Sequence, residues 1–284
     1  MLWSTDFWMS LAGVVYFIAG AFVFRKELRA ARGWDRLIAW SVVFVAVPLA
    51  VFAPEHFRGP EFVQNMVPSY MPMRSFWAYF VGCALLAAAT SLTVRKFERA
   101  SSILLGLMFF LFVCMIYLPS TIAHYKSRFA WAYMLRDLSF AAGAWALAGR
   151  YCRVPSLVLF ARLVIAAAAI VFGVHHFLHP DFAPGVPLEM KMPSWVPMPS
   201  VWGYLAGAIL LGSGIGLALN KYPRIAAAWI GALMTACTLF LYMVVLILSI
   251  GTPGYNDALN YVADTLLYAG AALALAAALP SEVR

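Results

Sequence analysis

The sequence predicts an all-α, polytopic membrane protein of about nine transmembrane helices, arranged as two parallel four-helix repeats plus one N-terminal helix. Three observations carry this. The chain is 64% hydrophobic and 11% charged, with a mean hydropathy of +0.84, whereas a soluble domain has about 25% charged residues. Several apolar runs reach the roughly 20 residues that cross a hydrocarbon layer about 30 Å thick. A long stretch of the second half also echoes one in the first.

The echo is clearest where apolar runs end. Val51-Phe-Ala-Pro-Glu-His-Phe-Arg-Gly-Pro-Glu-Phe62 aligns with Val171-Phe-Gly-Val-His-His-Phe-Leu-His-Pro-Asp-Phe182, so His56 matches His176 and Pro60 matches Pro180. Val67-Pro-Ser-Tyr-Met-Pro-Met73 returns as Met192-Pro-Ser-Trp-Val-Pro-Met198, and Ser75-Phe-Trp-Ala-Tyr79 as Ser200-Val-Trp-Gly-Tyr204. A repeat this long is a duplicated domain and not a short solenoid unit.

The first helix spans Phe7 to Phe24. No basic residue precedes it and Arg25-Lys26 follow it, the reverse of a cleavable signal peptide. Residues 1–36 therefore form an uncleaved helix and a basic loop. The first four-helix unit occupies 37–150, with helices at about 37–55, 75–94, 101–118 and 129–149. The second occupies 151–284, with helices at about 155–178, 200–219, 225–250 and 259–279.

Lys and Arg divide unevenly among the connections. Thirteen lie after helices 1, 3, 5, 7 and 9, and five after helices 2, 4, 6 and 8. This asymmetry predicts a periplasmic N-terminus and a cytoplasmic C-terminus in an inner membrane. Each unit has an even number of crossings, so the two repeats run parallel, unlike the inverted repeats of many transporters. The net charge of +8 is explained by these loops, and nucleic acid is excluded as a partner. Trp3, Trp8, Trp77 and Trp202 lie near segment ends, as interface anchors do. Cys83, Cys114, Cys152 and Cys237 fall in or near apolar runs and are expected to be small packed residues, not a disulfide framework.

The outer loops are rich in Pro and in large apolar side chains: Met66, Tyr70 and Met71 in the first, Trp195, Val196 and Met198 in the second. Fold-back of these loops over the helix ends would roof a cavity; anchoring to lipid is the simpler reading. The second unit combines His176-Phe-Leu-His-Pro180 at a helix end with Met192-Pro-Ser-Trp-Val-Pro-Met-Pro199 and with Gly207-Ala-Ile-Leu-Leu-Gly212 in the next helix. These motifs, with Asp264-Thr-Leu-Leu-Tyr-Ala-Gly270, resemble the DoxX family of membrane proteins, whose unit is a four-helix domain. Met192 departs from the family's valine. The first copy departs further, with Gly59 in place of His179 and Arg74 in place of Pro199. The resemblance implies a bacterial inner-membrane protein linked to quinone-coupled oxidation of thiosulfate or to maturation of periplasmic redox enzymes. It implies at most a subunit of a quinone-linked oxidoreductase, since the residues themselves name no catalytic set.

Ionisable side chains inside a membrane usually face protein or water. The candidate ligand-binding residues are Glu55, His56, His175, His176 and His179 at helix ends, with Trp195 and Trp202 flanking them. An imidazole can hydrogen-bond and exchange protons with a quinone oxygen, while Trp and Met border an apolar ring. His175 and His179 share a helical face, with His176 about 100° away, but no further motif supports a metal, and none is expected. Asp137 and Arg162 are expected to form a structural ion pair. Asp137 and Asp264 hold equivalent places in the two copies. The expected function is therefore a quinone- or lipid-interacting component of a membrane redox system. The alternatives are an accessory protein for a periplasmic redox partner or a transporter of a small or lipid-like solute. No nucleotide loop, Cys-x-x-Cys pair or serine-hydrolase elbow is present.

Overall fold

The computed structural model describes residues 4–185 and 190–280, so Trp3 lies outside it. The described residues form α-helices, with two π-helical segments and one isolated bridge between Phe182 and Lys191. In chain order the helices are α1 Thr5–Val23, α2 Arg25–Ala30, α3 Trp34–Ile38, α4 Ser41–Arg58, α5 Pro60–Gln64, α6 Arg74–Val94 and α7 Glu98–Phe112. After the π-helical segment Val113–Tyr117 come α8 Leu118–Ala123, α9 Arg128–Cys152, α10 Pro155–Leu178, α11 Pro199–Ala218 and α12 Pro223–Cys237. The second π-helical segment is Thr238–Tyr242, and α13 Met243–Leu248 and α14 Tyr255–Ala278 complete the order.

Eight spans among the described residues are long and apolar enough to cross a membrane. The remaining long helix, α9, has 25 residues but carries Arg136 and Asp137, which lower its hydropathy. It lies inside the bundle between α7, α10 and α14, where those charges meet protein instead of lipid. All nine expected helices are therefore present, and the least apolar is one of the most enclosed.

Eight helices form a closed ring in the order α4, α6, α7, α9, α10, α11, α12, α14 and back to α4, with α9 and α14 also meeting across its middle. Helix α1 packs outside the ring on α4 and α6. It leaves Val14, Ile18 and Phe22 exposed, as suits a helix with one face toward hydrocarbon. Small residues bring the central backbones together. A Cβ on Gly143 of α9 would lie 2.3 Å from the Cβ of Ala271 on α14, and one on Gly270 would lie 2.7 Å from the backbone of Phe44 on α4.

Local geometry recurs between the halves. Met73, Arg95 and Phe97 have left-handed backbones, and so do Met198, Asn220 and Tyr222, each 125 positions further on. The two π-helical segments keep the same spacing. The indole N–H of Trp77 donates to the Pro72 carbonyl at 3.1 Å, and that of Trp202 to Pro197 at 3.1 Å. Both tryptophans thus pin the Pro-rich loop to the start of the following helix. The hydroxyl of Ser75 binds Gln64 at 2.8 Å, and that of Ser200 binds Asp181 at 2.6 Å, a second tie from the same helix start.

The bundle has two unlike ends. The turn after α6, the α9–α10 turn and the turn after α11 lie at one end with α2, which is rich in arginine and lysine. The His-bearing ends of α4 and α10 lie at the other. At the basic end Arg95 pairs with Glu27, and Arg224 pairs with Asp35 at 2.6 Å, tying the N-terminal segment to both halves.

Candidate functional site

Two polar clusters lie toward the histidine end. The first is centred on Arg136, which is buried in α9. Its guanidinium binds Asp137 at 2.9 Å and Asp264 of α14 at 2.9 Å, and reaches the Tyr117 hydroxyl at 3.5 Å. The rings of Tyr133 and Phe140 flank it. One guanidinium thus joins the equivalent aspartates of the two halves. The expected Asp137–Arg162 pair is not made. Arg162 lies near the basic end of α10 and donates to the Leu217 carbonyl at 3.0 Å, whereas Asp137 lies in the histidine-end half of α9. The helices are neighbours, but the residues sit at different depths.

The histidines do not converge. His56 turns toward α6, where Gly82 leaves room for its Cβ, and its Nδ1 lies 3.0 Å from the Phe52 carbonyl. Glu55 points the other way and accepts from Asn260 at 3.0 Å; Asn260 in turn donates to Asn256, which donates to Asp6. This chain of amides links α1, α4 and α14. His179 follows the end of α10, is exposed, and packs edge-on against Phe182. His175 is half-buried with its Nδ1 enclosed and unpartnered.

His176 differs from all of these. It is 0% exposed, and neither ring nitrogen has a hydrogen-bond partner. Gly207 of α11 admits its Cβ, the same arrangement as Gly82 and His56. Phe172, one turn toward the basic end, touches the ring of Tyr268 on antiparallel α14. This contact sets the register: one turn outward on each helix places His176 level with Asp264 and Thr265. Thr265 is also fully buried, and its hydroxyl has no partner. A buried polar group without a partner costs about 1–3 kcal/mol, and the two groups lie at one level of the bundle.

The loop of the second half packs at this end of the bundle. The Pro180 carbonyl would lie 2.1 Å from a Cβ on Gly203, so the loop sits directly on α11. Ala183 with Met190, Met192 and Val196 packs against Tyr242, Cys237 and Leu241. The roof therefore forms from the apolar half of the loop, while Trp195 and Met198 point outward, as do Met66 and Tyr70 in the first loop. Trp195 and Trp202 are 45% and 48% exposed, so they border the loop surface and do not enclose a histidine. Among the described residues no group of three or more His, Cys, Asp or Glu side chains converges as a metal site.

Comparison with known families places this geometry. Residues 157–244, from α10 through the second π-helical segment to the start of α13, match the DoxX family model. The second half of this multi-pass membrane protein thus carries a DoxX domain. Residues 45–148 match a separate family described as a domain of unknown function, DUF8561. No curated protein and no solved structure matches the chain. The DoxX match contains His175, His176 and His179, the roofing loop and Tyr242, whereas Thr265 and Asp264 lie beyond it on α14.

Several polar residues of these clusters are not singled out by the sequence pattern. Tyr117 and Tyr242 occupy the last positions of the π-helical segments, which no periodicity announces; π-bulges are often found at functional sites. Arg136 is adjacent to Asp137, and adjacent residues on a helix do not ordinarily face each other. Its long side chain overcomes this by turning back on Asp137. Thr265 lies within the Asp264–Gly270 motif, but nothing in that motif sets it apart from its neighbours.

Proposed function

We propose that this membrane protein is a quinone-interacting component of an inner-membrane redox system, with the quinone headgroup held at His176. The observation that carries the reading is the fully buried imidazole with both nitrogens free, level with the free hydroxyl of Thr265 and at the end of the bundle where the apolar loop packs. A neutral imidazole offers one N–H donor and one acceptor nitrogen. The donor suits a quinone carbonyl and the acceptor suits a quinol hydroxyl, so one side chain serves both oxidation states. The apolar ring would lie against Phe172 and the loop methionines. The periplasmic placement of this end, with the basic end in the cytoplasm, follows the charge asymmetry of the loops. The recurrent left-handed turns, π-helical segments and Trp–Pro ties support the reading of two DoxX-like units in tandem.

The test is retention of a short-chain quinone by the purified protein, measured by solvent extraction, with His176→Phe and His56→Phe compared at equal helix content. His176→Phe is expected to lower retention about tenfold, the loss of one buried hydrogen bond. His56→Phe is expected to have little effect, since that ring already faces the Phe52 carbonyl. Equal loss in both variants, or no quinone bound by the wild type, overturns the reading.

One observation favours a second reading, a docking role toward a periplasmic redox partner. The loops at this end expose Met66, Tyr70, Trp195 and Met198, and large exposed apolar side chains mark interaction surfaces. Co-purification of a partner that is lost in Trp195→Ser/Met198→Ser, with quinone retention unchanged, would favour docking over quinone binding.

A further inference from the structure

We propose that the cavity at the basic end of the second half is a binding site for the phosphate headgroup of an anionic phospholipid. The cavity is about 540 Å³ and lies between the α9–α10 turn and the C-terminal ends of α11 and α14. Arg150, Arg153, Arg162 and Asn220 line its polar side, and Val158 and Leu159 its apolar side. No carboxylate among the described residues lines it. The contrast with the rest of this end is informative. Arg95 and Arg224 have carboxylate partners, but none of the three cavity arginines does among the described residues. Three unpaired guanidiniums around one hollow repel each other unless an anion joins them.

The chemistry of the guest follows from the walls. A guanidinium presents several N–H donors in a fixed plane, which suits phosphate oxygens. The backbone supports this placement. Arg153 has a left-handed conformation at φ 57° as it closes α9, setting its side chain at the mouth. Helix α10 begins at Pro155, on the cavity wall, so its positive end faces the same space. Arg162 is anchored by Leu217 and retains further donors for a ligand.

Free phosphate would not need the apolar side. Leu159 is exposed as well as lining the cavity, and Leu163, one turn along α10, is exposed beside it. A lipid with its headgroup among the arginines can therefore lay an acyl chain along α10. Basic pockets between transmembrane helices hold anionic lipid headgroups in this way. The site is at the opposite end from His176 and does not depend on the quinone reading.

The test uses the full chain, delipidated in neutral detergent and examined by native mass spectrometry. The probes are phosphatidylglycerol, phosphatidylcholine with the same chains, and inorganic phosphate. Phosphatidylglycerol is expected to bind about tenfold more tightly than phosphatidylcholine, with the preference reduced to about twofold in Arg150→Gln/Arg153→Gln. Both arginines are exposed, so the variant should fold, as circular dichroism can verify. Arg162→Gln, a second variant, should lower the preference on its own. Arg29→Gln/Arg32→Gln, at the same end but away from the cavity, should leave it unchanged. The proposal fails if the wild type shows no preference, if the cavity variants keep it, or if Arg29→Gln/Arg32→Gln removes as much. Displacement of the lipid by millimolar inorganic phosphate would also overturn the lipid assignment, leaving an ion site.

Discussion

At the scale of single residues, Arg136 does work that its neighbours cannot share. It holds two carboxylates from two helices, each at 2.9 Å, in a largely buried part of the bundle. Removing the cation leaves Asp137 and Asp264 without the guanidinium that joins them. Arg136→Leu is therefore expected to cost about 3–5 kcal/mol, the range for breaking a buried pair from one side. Arg162→Leu breaks only a bond to a carbonyl and should cost about 1–3 kcal/mol. Chemical denaturation in detergent micelles measures both, and equal losses would mean that the three-residue cluster is not the load carrier. Combining Arg136→Leu with Asp264→Asn should recover part of the loss, because one carboxylate fewer then surrounds the place of the lost cation.

Among the elements, α9 and α14 matter most, because they meet across the ring, where Gly143 of α9 packs on Ala271 of α14. Gly143→Val would push a branched side chain into Ala271, where even a Cβ lies 2.3 Å away. The helices must then separate, and we expect a loss of more than about 3 kcal/mol or no folded protein. Gly212 in α11 has nothing within 4 Å of a built Cβ. Gly212→Ala should therefore gain about 0.5–1 kcal/mol from the higher helix propensity of alanine. The pair separates packing glycines from incidental ones by thermal unfolding, and destabilisation by Gly212→Ala would show an unrecognised contact there.

For the whole molecule, the unequal ends set the orientation expected in a membrane. In a background lacking Cys83, Cys114, Cys152 and Cys237, Thr252→Cys lies at the histidine end and Lys221→Cys at the basic end; both positions are exposed. A membrane-impermeant maleimide added to the periplasmic side should label the first and leave the second. The reverse pattern would invert the topology and move the His176 region to the cytoplasm. The closed ring also implies that the halves do not stand independently, since α4 packs on α14 and α9 on α10. Separately expressed halves should associate when mixed, which co-purification can follow.

Composition and apolar periodicity were enough to determine the class, the number and the approximate bounds of the helices, because the bilayer requires each span to be long, apolar and internally hydrogen-bonded. The echo between halves, seen in His56 and His176 or Trp77 and Trp202, was likewise legible, since its residues are adjacent in the chain and need no folding to be compared. The histidine-rich helix end and its Pro-Met loop were singled out as a site on the same basis. Which histidine is enclosed was not. His56 and His176 differ by what lies across from them, and that is decided by the register of α10 against α14. The ion cluster shows the same limit. Asp137 and Asp264 were recognised as equivalents, but joining them requires α9 and α14 to cross at Gly143 and Ala271 with matched depth. The partner assigned to Asp137 was wrong because helix order gives neighbours without giving their vertical alignment. The arginine-lined cavity has the same origin: Arg150, Arg153, Arg162 and Asn220 are spread over 71 positions, and only closure of the ring brings them to one hollow. Span length and composition are properties of one segment and the membrane. Register, depth and burial are properties of pairs of segments, set by side-chain packing that no single stretch of sequence contains.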